Sequence, residues 1–387
     1  MQNNPLDPRQ PNTPVNYQAP TPQQQPMQYH PPLGNQPAYY TPAPQPVQQP
    51  YYAPQPQPQS NIDWRAVNYY KQLRKKERND IILKGAVIGA TLIVMIIVEL
   101  IAVLLLDAAG KSTLLDTDPT FANCFNIIAV HVCALAVPFT LMWLILKKKA
   151  DKPLIPTEKT GKLKAFIWIC FGMGCCMAAN YITNAVIMLY EAFGYELTQP
   201  EFPVANSVIS CIALVFSTSI VPGIFEEYAF RCCTLSALRP HGKAFGVIAV
   251  SIVFGLIHGN MIQFVFAMLV GLALGFITVR TNSVIPAMIV HALNNGISVL
   301  QEILEYTSGE KVAEYVSNGF VIAWIILGIG ALAYMLVKKE LLPPKQPKQP
   351  KVPYALNLAE KLLCLVPGFF IPFVILIYET SQYITKV

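Results

Sequence analysis

The sequence predicts an all-α protein: a polytopic bundle of about eight or nine membrane-spanning helices behind a disordered amino-terminal tail. Three observations carry that prediction. Of 387 residues, 53% are hydrophobic and only 13% are charged, although the tail is polar, so the remainder is far more apolar than a water-soluble domain. Apolar runs of about twenty residues, the length that crosses a bilayer, recur along the chain. Basic residues gather in alternate connections between those runs, as they do in membrane proteins of fixed orientation.

Residues 1–62 are the tail, rich in Pro, Gln, Asn and Tyr, as in Gln48-Gln49-Pro50-Tyr51-Tyr52-Ala53-Pro54. Such a segment lacks the apolar mass to offset its ordering entropy, and it reads as a disordered, partly polyproline-like cytoplasmic spacer or docking tail. Residues 63–84 form a basic juxtamembrane segment in which Trp64, Val67, Tyr70 and Leu73 fall at helical spacing among Arg65, Lys71, Arg74, Lys75 and Lys76. That pattern predicts a short helix lying on the membrane surface. Amino-terminal transmembrane helices occupy residues 85–203, with spans at 85–106, 125–146 and 165–189. A central helical core follows over 204–304, with spans at 207–238, 244–258, 262–278 and 284–303. Residues 305–387 supply spans at 319–337 and 362–378, joined by a Pro/Lys-rich linker. The fifth span is short and the last contains Pro367 and Pro372, which leaves the count at eight or nine. The first apolar run begins only after residue 80, so no cleavable signal peptide is expected.

The net charge of +6 is a topology signal and calls for no nucleic-acid partner. Lys71, Arg74, Lys75, Lys76, Arg78 and Lys84 precede the first span, and Lys147, Lys148, Lys149, Lys152, Lys159, Lys162 and Lys164 separate the second from the third. The alternate connections carry acids, among them Asp107, Asp116 and Asp118, then Glu191, Glu196 and Glu201. The bias puts the amino terminus in the cytoplasm and the carboxyl terminus outside. Eight of the nine cysteines lie in apolar runs, where free cysteine packs as a small hydrophobe, and no zinc-like CxxC pair occurs.

Charged groups inside the spans identify the place to look for chemistry. Each costs about 2.5–3.5 kcal/mol at membrane depth on insertion scales. Single polar residues have modest explanations. Glu99 can snorkel to the interface, His131 stands alone and reads as a packing histidine, and Asn180 and Asn184 share a face as interhelical hydrogen-bonding residues do. Gln263 reads the same way. The fourth, fifth and seventh spans differ because their polar groups come in spaced sets. Glu227 and Arg231 are four apart and meet on one helix face. Glu226 is turned by about 100° from that pair, with Pro222 one turn before it. Phe254 and His258 are four apart, and so are His291 and Asn295. Counted from the inner helix ends, Glu226, His258 and Asn295 lie thirteen, fourteen and thirteen residues deep, and His291 nine. At about 1.5 Å per residue, three of them fall near 20 Å and the fourth near 14 Å.

A carboxylate beside an imidazole in a low-dielectric pocket can take a proton from water. A second imidazole and an amide on one helix face can donate to an oxygen that becomes negative. Those parts suffice to hydrolyse an amide without a covalent intermediate. The serine and zinc signatures G-x-S-x-G and H-E-x-x-H are absent.

The set Glu226-Glu227-x-x-x-Arg231, Phe254-x-x-x-His258 and His291-x-x-x-Asn295 resembles the three motifs of the CPBP family, which comprises CAAX prenyl endopeptidases, bacteriocin-processing enzymes and Abi immunity proteins. The likeness covers residues 204–304, about a quarter of the chain. It implies a metal-independent, glutamic-type intramembrane peptidase in which Glu226 and His258 activate water. His291 and Asn295 would form the oxyanion hole, and Glu227, Arg231 and Phe254 would support the site. The implied substrate is a peptide or membrane protein, and the expected lipid bilayer is a bacterial plasma membrane. No cofactor is implied. The alternatives are a zinc-dependent peptidase with Glu226, His258 and His291 as ligands, and a non-catalytic immunity or scaffold protein of the same fold.

Overall fold

The computed structural model describes residues 64–147, 160–200, 203–341 and 354–387. The tail over 1–62, most of the basic connection after the second span and the Pro/Lys-rich linker lie outside the described residues.

Every apolar run of the sequence lies on a helix. Among the described residues, the nine long helical segments are α1 (Trp64–Ala108), α2 (Pro119–Leu146), α3 (Lys162–Ala192), α4 (Val208–His241), α5 (Lys243–Leu256), α6 (Met261–Thr281), α7 (Ile285–Ser308), α8 (Glu310–Val337) and α9 (Leu358–Gln382). All but α5 and α7 are long and apolar enough to cross a membrane by length and composition. The chain is an integral membrane protein. Its lipid-facing surface shows why the helices are apolar: Val94, Ile97, Leu100, Ile101 and Leu104 of α1 form an exposed stripe at helical spacing. Water would penalise such a surface, whereas acyl chains do not.

Two expectations about helices change. The basic segment before the first span is no separate surface helix. It continues into the span as one helix of 45 residues, about 68 Å long, because no Gly or Pro interrupts residues 64–84. The second concerns α9, which runs unbroken through Pro367 and Pro372. Prolines are tolerated in membrane helices where neighbouring structure answers the freed carbonyls, and Pro372 is buried inside the bundle.

Contacts at the helix ends fix the parity of the crossings. The strand β1 (Tyr195–Leu197), after α3, pairs antiparallel with β2 (Ile384–Lys386) at the carboxyl terminus. At the opposite end, His241 at the α4–α5 turn lies 2.9 Å from Asp80 and 3.0 Å from Lys84 of α1. Lys361 of α9 pairs with Glu77 of α1 at 2.9 Å. An even number of crossings therefore separates β1 from β2.

The helices α2 and α4 contain wide, i→i+5 turns. They span Asn126–Ala136 in α2, and Val215–Ile220 and Tyr228–Thr234 in α4. Two of the three end where proline enters, at Pro138 and Pro222. A proline has no N–H for the carbonyl four residues back, which loosens the preceding turn. The wide turns lie beside the polar groups of the core.

Candidate active site

The site is organised by a close seam between α4 and α7. A Cβ added at Gly223 would lie 2.9 Å from Ala292 Cβ and 3.1 Å from Ala292 N, so only glycine allows this approach. Polar groups lock the same seam. Ser219 Oγ donates to the Ala292 carbonyl at 2.8 Å, and Asn295 Nδ2 donates to the Thr218 carbonyl at 2.9 Å. Gly223→Ala is expected to push α7 off α4 at a cost of about 1–3 kcal/mol, as overpacking does. A lowered melting midpoint in detergent checks it.

With the seam closed, Glu227 meets two groups. Its Oε1 lies 2.9 Å from Arg231 Nη1 and 3.0 Å from His291 Nδ1. The Glu227 and Arg231 side chains are both 0% exposed. The Arg231 guanidinium also stands 4.4 Å above the Phe254 ring and reaches the Gly271 carbonyl of α6 at 3.3 Å. A charge pair held this far from solvent needs such extra partners to be tolerated.

Phe254 is the hub between α5 and the seam. Edge-on contacts join it to His258 at 5.2 Å, to His291 at 5.9 Å and to Phe230 at 5.2 Å between ring centroids. After α5 ends at Leu256, the chain turns through Gly259 at φ +69°, a conformation that suits glycine. Asn260 then caps α6 by accepting from the Gln263 N–H at 2.9 Å. This tight turn sets His258 beside the core, with Nδ1 2.8 Å from the Phe254 carbonyl.

Glu226 points away from the Glu227 pair, as its place on the helix requires. Its side chain is 15% exposed, with Oε1 3.5 Å from His131 Nε2 and Oε2 3.8 Å from His291 Nε2. Oε2 is buried and has no hydrogen-bond partner within the protein. The structure thus gathers Glu226, Glu227, Arg231, Phe254, His258 and His291 into one cluster, and ties Asn295 to the α4 backbone one helical turn along α7.

Residues 208–297 match the family described as "Type II CAAX prenyl endopeptidase Rce1-like". A protein of Bacillus subtilis (strain 168) named "Putative membrane peptidase YdiL" is 23% identical over 244 residues, which cover 62% of this chain and 94% of that protein. Over residues 208–297, then, the chain is similar to that peptidase family. No solved structure matches the chain.

The matched stretch carries every site residue named from the sequence, yet the cluster reaches beyond it. His131 of α2, which reads in the sequence as a packing histidine, sits against the Glu226 carboxylate. No local spacing signals this, because its partner is 95 positions away and nothing on α2 repeats at helical spacing with it. Asn180 and Asn184 fail the opposite way: both are exposed on α3, so they do not join helices as expected. Gln263 serves the Asn260 cap, its Oε1 accepting from Asn260 Nδ2 at 2.9 Å.

The alternative zinc set was Glu226, His258 and His291. Among the described residues, no three His, Cys, Asp or Glu side chains are arranged to hold a metal ion. In the cluster itself, His291 Nδ1 contacts Glu227 and His258 Nδ1 the Phe254 carbonyl, which leaves Nε2 as the remaining nitrogen of each ring.

Proposed function

We propose that the protein is a metal-independent, glutamic-type intramembrane endopeptidase that hydrolyses a peptide bond in a peptide or membrane-associated protein. The observation that carries this reading is the division of labour between adjacent carboxylates. Glu227 is held in a fully buried ion pair with Arg231, whereas the Glu226 side chain is 15% exposed and has no arginine partner; each carboxylate keeps its Oε2 without a protein hydrogen-bond partner.

In the proposed reaction, Glu226 takes a proton from a water whose oxygen attacks the scissile carbonyl carbon, with His258 helping to orient that water. The carbonyl oxygen becomes an oxyanion facing His291 and Asn295. His291 stands between two carboxylates, Glu227 at Nδ1 and Glu226 at Nε2. An Nε2–H on this ring is the donor an oxyanion requires. Asn295 spends one amide hydrogen on the Thr218 carbonyl and has a second to give. When the tetrahedral intermediate collapses, the C–N bond breaks and the proton held by Glu226 passes to the leaving amine. The orientation that fits the basic connections has the amino terminus in the cytoplasm of a bacterial cell, with the site in the plasma membrane.

The test is cleavage by the full chain reconstituted in lipid vesicles. Membranes carrying wild type should generate new peptide termini that membranes carrying Glu226→Gln do not. Chelators should leave the rate unchanged; loss on chelation with recovery on adding zinc would replace this mechanism by a zinc-dependent one. Equal peptide profiles, with the biological effect retained in Glu226→Gln, would favour a non-catalytic scaffold.

A further inference from the structure

We propose that His131 is a positioning residue for Glu226, holding Oε1 so that Oε2 is the oxygen presented to water. The inference rests on the peptidase reading and extends its machinery to α2, a helix outside the matched residues 208–297.

His131 is buried, and both ring nitrogens are engaged. Nε2 lies 3.5 Å from Glu226 Oε1, and Nδ1 lies 3.2 Å from the carbonyl of Asn126, five residues earlier on the same helix. The wide turns of Asn126–Ala136 supply that i→i+5 spacing, so the backbone itself steadies the ring. The approach to Glu226 is long for a hydrogen bond, as catalytic contacts commonly are before substrate arrives.

The helix bearing His131 is fastened to α4 on both sides of it. Asn123 accepts from the Ser217 hydroxyl on one side. On the other, Thr140 Oγ1 and the Tyr228 hydroxyl are 2.8 Å apart, and the Phe139 and Phe230 rings are 5.2 Å apart. A histidine that only filled space would not need to be registered against one carboxylate oxygen. Glu226 gains from that registration because the terminal torsion of a glutamate is broad. Without a partner on Oε1 its carboxylate would sample orientations in which neither oxygen is aimed at the water.

The two oxygens are therefore unequal. Oε1 faces an anchored imidazole of α2, while Oε2 is buried without a hydrogen-bond partner and faces His291 across 3.8 Å. The polar contacts of His131 are with Glu226 and the backbone of its own helix, so its influence passes through Glu226. Glu99 of α1 also lies within electrostatic range of the ring, which places the His131 side of the site next to a second acid.

The experiment compares His131→Ala, His131→Gln and Glu226→Gln in vesicles, using the quenched peptide that wild type cuts fastest. His131→Ala should lower kcat by about 10²-fold, the scale of a misplaced reacting group, with KM within twofold. His131→Gln sets an amide N–H near the place of Nε2 and should recover most of the loss. In the double variant, Ala at 131 should take nothing further from Glu226→Gln, since the two act as one unit. An unchanged kcat in His131→Ala would overturn the proposal. Equal losses in Ala and Gln, matched by equal falls in melting midpoint, would also overturn it by showing a packing role alone. Activity in Glu226→Gln would instead defeat the peptidase reading itself.

Discussion

Glu226→Gln is expected to lower kcat by about 10²–10⁴-fold, the usual contribution of a positioned general base, while the protein stays folded. Glutamine keeps the volume and one carbonyl oxygen, so contacts around the side chain change little. The side chain is only partly enclosed and lies outside the buried pair made by Glu227, which is why its loss should not unfold the bundle. Burst and single-turnover measurements on the quenched peptide, beside a melting curve in detergent, separate chemistry from stability. A variant retaining more than about a tenth of wild-type kcat would remove Glu226 from the role of base.

Much of this arrangement was legible in the sequence because it rests on local spacing. An i,i+4 pair such as Glu227 and Arg231 meets on any helix, whatever the helix packs against. The one-residue offset then turns Glu226 out of that pair, and the structure has it facing other partners. Helix depth, counted in residues, brought α4, α5 and α7 to a common level. What spacing does not encode is which helix packs beside which. His131 is isolated on α2 and becomes a partner of Glu226 only through the α2–α4 contact at Ser217 and Tyr228. The same blindness misassigned Asn180 and Asn184, whose shared face is turned outward. The basic segment before α1 shows a third limit: amphipathic spacing identifies a helix but not whether it bends at the membrane surface.

The buried pair gives the largest expected effect on stability. Glu227→Ala leaves the Arg231 guanidinium, itself 0% exposed, over the Phe254 ring with no carboxylate beside it. Breaking one half of a buried pair costs about 3–5 kcal/mol, because the remaining charge stays desolvated. Arg231→Met should cost a similar amount by stranding Glu227. Removing both charges is a different case. Glu227→Ala with Arg231→Met should cost much less than the sum, since no lone charge remains. Melting midpoints of the two single variants and the double variant measure that coupling. Additive losses would mean that the charges are not paired as the 2.9 Å contact implies. Activity should not follow stability back. In the double variant His291 Nδ1 has lost the Glu227 carboxylate that holds it at 3.0 Å, so the ring that faces Glu226 and the proposed oxyanion is free to turn. A double variant that regains its melting midpoint but not its kcat would separate the two duties of Glu227: balancing a buried arginine and aiming a histidine.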